Sequence, residues 1–164
     1  MTAEPDTIDL ERLYDEDFVA WSREQAAALR RLAATRRGVP GIDFPHLIEE
    51  VEDLGRAESR AVVSQLRRII EHCLKLSCSP AEDPRRQWQL SIRAARREIR
   101  DRITPVLLHE LRAALDRQYR IARDDTDYAM RLYDEHEAAD RLPGACPWTL
   151  DQLLDADWFP DPQV

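Results

Sequence analysis

The sequence predicts an all-α fold, a single helical bundle built on two long helices, and three observations carry that expectation. Apolar residues recur in steps of three and four along most of the chain. Acidic residues load the starts of those rows, basic residues their ends, and Pro or Gly follows. Only 4 Gly occur in 164 residues, and no stretch alternates apolar with polar residues as a strand does. A chain of this length fits one domain with a real core. The expected domain covers 9–160, between a disordered tail at 1–8 and a short tail at 161–164.

The first helix is expected from Asp9 to about Arg36, on the row Leu10, Tyr14, Phe18, Trp21, Ala28 and Leu32, with Gln25 filling one step. Gly38-Val39-Pro40-Gly41 stops it. A second, longer helix opens at Asp43 or Phe44 with Pro45 in its first turn, where no N–H is needed. Its row is Leu47, Val51, Leu54, Val62, Leu66, Ile69, Cys73 and Leu76, and Ser79-Pro80 ends it. The short turn between these two favours antiparallel pairing.

A third helix is expected over Arg86–Arg102, with Trp88, Ile92, Ala95, Ile99 and Ile103 on one side. Thr104-Pro105 opens a fourth, reaching about Asp124, and a shorter fifth covers Thr126–Glu137. Thr149-Leu150-Asp151-Gln152 is a capping box and starts a last short helix. Leu150, Leu153, Leu154, Trp158 and Phe159 give the closing segment enough apolar area to dock as a strap.

The formal net charge is −8, which opposes broad binding to polyphosphate. No apolar run reaches membrane-spanning length, and the acidic N-terminus is not a signal peptide. The expected compartment is cytoplasmic. Cys73, Cys78 and Cys146 show no zinc-type spacing and read as reduced thiols, with Cys73 in the core.

Leu13-Tyr14-Asp15-Glu16-Asp17-Phe18-Val19-Ala20-Trp21 resembles the Leu-Tyr-x-x-Asp-Phe-x-x-Trp signature of a bacterial family, domain of unknown function family twenty-nine (DUF 29). Leu47 to Gly55, with Glu49 and Glu50, is similar to its acidic helix start. Trp88 with Ser91-Ile92 matches a third motif. Cys146-Pro147-Trp148-Thr149-Leu150 through Phe159-Pro160 looks like its closing segment. The resemblance runs nearly end to end. It implies a compact helical protein and no particular activity; Tyr14, Asp17, Trp21, Glu49, Glu50, Trp88 and Pro147 are the positions that carry it.

Several constellations compete with plainer readings. Tyr14, Phe18, Trp21 and Trp88 stand at helical spacing and read as core. Glu49, Glu50, Glu52 and Asp53, with His46 one turn earlier, contain ligand chemistry but lack the paired Glu-x-x-His spacing of bundle metal sites, and read as a solvated face. Glu58 falls within the apolar row beside Gly55, where a carboxylate needs a partner. Arg96 is the expected partner, making Gly55, Glu58 and Arg96 a candidate buried polar centre. Arg93, Arg97 and Arg100 share one helical face and form a candidate surface for phosphate or an acidic partner, unless the chain's own carboxylates neutralise them. No catalytic residue, metal site or cofactor is expected.

The leading expectation is a non-enzymatic protein-interaction or regulatory module with an unknown protein partner, open to homo-oligomerisation. The alternatives are a nucleic-acid-associated protein of stress or toxin–antitoxin type using the arginine-rich helix, and a metal-dependent enzyme using His46, Glu49, Glu50 and Glu58.

Overall fold

In the computed structural model, residues 9–35 and 39–162 are described. They contain seven helices: α1 (Leu10–Glu16), α2 (Phe18–Thr35), α3 (Phe44–Cys78), α4 (Arg85–Arg100), α5 (Pro105–Leu132), α6 (His136–Asp140) and α7 (Leu150–Leu154). No strand occurs among the described residues. The expected tail at 1–8, the expected helix end at Arg36 with Arg37 and Gly38, and the last two residues lie outside them. The chain gathers into two compact units. The first runs to Arg60 and includes Thr104–Leu107; the second comprises Ala61–Ile103 and Leu108 onwards.

In the first unit, the single helix expected from Asp9 is broken at Asp17. The Asp17 carboxylate accepts a hydrogen bond from the Ala20 N–H at 3.0 Å, capping α2, and its second oxygen accepts from the Val106 N–H at 3.4 Å. An aspartate competes well for orphan N–H groups at a helix start, so a cap replaces what reads as one continuous row. Helices α2 and α3 run antiparallel: Ser22 meets Gly55, while Arg30, further along α2, pairs with Glu52, earlier along α3.

The face that joins α2 to α3 is not the expected one. Val19, Ser22 and Ala26 are the buried residues of α2, and a Cβ on Gly55 would collide with Ser22 Oγ and come within 3.3 Å of Ser22 Cβ. Small residues let the two backbones approach closely. The larger row read as core lies to the side: Tyr14, Leu32, Leu47 and Leu54 are exposed, and Phe18 and Trp21 are only partly covered. The aromatic core reading is therefore corrected.

The second unit holds the larger core. From α3 it takes Val62, Leu66, Ile69, Ile70, Cys73 and Leu76; from α4, Ile92, Ala95 and Ile99. The expected fourth and fifth helices are one: α5 continues through Asp124–Thr126. Leu111, Tyr119, Ala122, Thr126 and Met130 form its buried side, and Asp127 pairs with Arg131 one turn on. The break comes at Asp134, whose φ of 61° is left-handed, and α6 follows.

The closing segment docks as expected. Thr149 and Gln152 form the complete capping box of α7. The Pro143 carbonyl accepts from Tyr119 Oη at 2.7 Å and Arg123 Nε at 2.9 Å, and Trp148 packs edge-on against Trp158, centroids 6.0 Å apart.

Candidate interaction site

The surface of α4 is the most unusual feature for a chain this acidic. Pro84 precedes the helix without a side-chain cap, and Ile92, Ala95 and Ile99 turn one face into the core. Helical geometry then fixes the opposite face. Arg86, Leu90, Arg93, Arg97 and Arg100 follow one another in steps of four, three, four and three, and all five are exposed. The row extends about 21 Å along the helix axis. Leu90 keeps 55% of its surface exposed in its middle. Among the described residues no carboxylate lies within ion-pair distance of these four arginines, whereas Arg102 pairs with Glu98 on another side of the same stretch. The sequence singled out Arg93, Arg97 and Arg100; the same spacing, carried back one turn and more, reaches Leu90 and Arg86.

Arg96 belongs to a different structure. It is 5% exposed, and its Nε and Nη1 donate to the carbonyls of Leu153 and Trp158, both at 2.8 Å. Its guanidinium carbon stands 5.2 Å from the centre of the Phe159 ring. Burial lowers its pKa. Its planar fork reaches two backbone carbonyls of the closing segment at once. Gly55 and Glu58 lie in the first unit, where Gly55 is buried against Ser22 and Glu58 is half-buried.

The acidic start of α3 brings no metal-ligating set together. His46 Nδ1 is bonded to Asp43 Oδ2 at 2.6 Å, and Asp43 holds the imidazolium form, raising the His46 pKa. Glu49 and Glu50 are exposed, while Glu52 pairs with Arg30 and Arg56. Among the described residues no group of three or more His, Cys, Asp or Glu is placed to hold a metal ion. The three cysteines are free thiols; Cys73 is buried, and burial pushes its pKa up to about 12.

Sequence reasoning missed a cleft of about 530 Å³ in the second unit, lined among others by Lys75, Pro84, Trp88, Met130, Tyr133 and Glu135. Trp88, expected in the core, is a half-exposed wall of it. Tyr128, Leu132 and Tyr133 stand exposed at the end of α5. The expected fifth helix already carried them; the polar run before it hid only its continuity with the fourth. Pro147 is exposed in the docked segment.

Residues 13–159 match the family described as Domain of unknown function DUF29. The chain belongs to that family. Among solved structures it is similar to an α-helical protein of unknown function from Rhodospirillum rubrum ATCC 11170, with 27% sequence identity, 94% of this chain and 93% of that chain covered, and a TM-score of 0.75. No curated protein matches it. Among the family-motif positions of this DUF29 chain, Asp17 is the cap that splits α1 from α2, Tyr14 and Trp21 belong to the exposed row of the first unit, and Trp88 lines the cleft. No described helix is long and apolar enough to cross a membrane.

Proposed function

We propose that this DUF29 protein is a non-enzymatic interaction module that docks a short acidic segment of a protein partner on α4. The observation that carries the reading is the row Arg86, Arg93, Arg97 and Arg100, exposed, on one helix face and, among the described residues, without a carboxylate in ion-pair range, in a chain of net charge −8. Guanidinium forks bind carboxylates in pairs, and Leu90 supplies an apolar contact between them. A partner segment with a few carboxylates fits a row of about 21 Å. A long polyanion would extend past it onto the protein's own acidic surface, which makes nucleic acid the weaker alternative. The metal-dependent alternative gains no support from the placement of His46, Glu49, Glu50 and Glu58. Three unpaired thiols accord with a reducing compartment, so we place the protein in the cytoplasm.

Fluorescence anisotropy with a labelled glutamate-rich peptide and a labelled DNA duplex tests the reading at low and moderate salt. The peptide is expected to bind, and the Arg93→Glu, Arg97→Glu double variant to bind it at least tenfold more weakly, about 1.4 kcal/mol or more. Tighter binding of the duplex than of the peptide would reverse the assignment in favour of nucleic acid.

A further inference from the structure

We infer that the apolar face of the α2–α3 hairpin is where a second copy of this chain docks, the two hairpins closing into an antiparallel four-helix bundle. The α2–α3 contact runs through Ser22 and Gly55. At 100° per residue, Phe18, Trp21, Gln25, Ala28 and Leu32 lie about 100° round α2 from that contact. Leu47, Val51, Leu54 and Glu58 lie about 100° round α3 in the same sense. Because the helices are antiparallel, the same sense puts both rows on one side of the hairpin. The Arg30–Glu52 pair closes the other side, as this geometry requires. Tyr14 extends the face from α1, its ring 5.5 Å from Phe18 and 4.9 Å from Trp21.

The spacing and the area both favour a copy of the same hairpin. Both rows step four and three residues alternately, the repeat that packs helix against helix in bundles. Leu10, Tyr14, Leu32, Leu47 and Leu54 retain 42%, 51%, 40%, 41% and 52% of their surface exposed. At roughly 200 Å² for a large apolar residue, that is on the order of 450 Å² per copy. It already matches the largest patches of ordinary monomers. Partly exposed Phe18, Trp21 and Val51 extend the face further toward the roughly 800 Å² per partner of a standard interface.

Charge complementarity points the same way. A two-fold axis parallel to the helices lays α2 of one copy over α3 of the other, every neighbour antiparallel. Arg31 projects from the outer edge of the α2 row and Glu50 from the outer edge of the α3 row, both exposed. The two-fold brings Arg31 of each copy beside Glu50 of the other.

Sedimentation equilibrium on the full chain, at concentrations up to tens of micromolar, tests this. The expected mass is twice that of the chain. Leu47→Glu with Leu54→Glu is expected to give a monomer of unchanged helical circular dichroism, since both leucines face water in the single chain. Arg31→Glu is expected to weaken the dimer about tenfold, and Glu50→Arg in the same protein to restore it. A wild-type monomer throughout the range, a dimer that survives the leucine pair, or a charge swap without recovery would each overturn the inference.

Discussion

Gly55 shows how one missing methyl sets a helix pair. Alanine there gains up to about 1 kcal/mol of helix propensity, but its Cβ meets Ser22 Oγ and presses on Ser22 Cβ at 3.3 Å. Overpacking between two backbones outweighs propensity. Gly55→Ala is therefore expected to lose about 1–2 kcal/mol in urea unfolding, and adding Ser22→Gly to recover most of it. His72 gives a prediction in pH. Its Nδ1 is buried without a hydrogen-bond partner, and burial, with Lys75 and Arg68 nearby, lowers its pKa to about 4. The unfolded chain takes up a proton near pH 6.5 that the folded chain refuses. The neutral form's contribution is complete above that pH and is lost as pH falls from about 6.5 to 4, on the order of 2 kcal/mol. Half-buried Glu71, whose pKa is raised by desolvation, acts in the opposite sense. The difference between wild type and His72→Gln isolates the histidine: melting temperatures that converge with acidification are expected, and parallel acid limbs would contradict it.

At the scale of elements, the caps decide what periodicity leaves open. Asp17→Ala removes the acceptor for the Ala20 and Val106 N–H groups and is expected to destabilise the fold by about 1–2 kcal/mol, read by thermal unfolding. The Thr149 capping box, the Pro45 start of α3 and the Ser79-Pro80 stop were legible in the sequence because each is a local chemical device. The Asp17 break was not, since Tyr14, Phe18 and Trp21 keep their spacing across it. Nor was the continuity of α5, because Asp124-Asp125-Thr126-Asp127 resembles a loop until Thr126 is seen to occupy a buried step between Ala122 and Met130. Periodicity also located the rows of α2 and α3 but not their direction. Small Val19, Ser22 and Ala26 took the contact because close approach buries more backbone surface than large side chains allow. The α4 face was largely legible, since charge and helical spacing alone define it.

At the scale of the molecule, the closing segment and the α4 surface are consequences of one helix. Arg96 faces inward and holds residues 153–159 by two carbonyls and an aromatic ring. Lysine cannot reach both carbonyls with one nitrogen, so Arg96→Lys is expected to cost about 2 kcal/mol and to speed limited proteolysis within 142–162. On the solvent-facing side of the same helix, Arg86, Arg93, Arg97 and Arg100 are exposed, and among the described residues no carboxylate lies within ion-pair distance of them, although the chain carries 32 acidic residues against 24 basic ones. The proposed interaction rests on this row. The most direct measurement is a backbone amide NMR titration of the whole protein with a glutamate-rich peptide. Shifts that cluster on Arg86–Arg100 and vanish in the Arg93→Glu, Arg97→Glu variant are expected. Shifts confined to other helices, or their persistence in that variant, would contradict the proposed interaction.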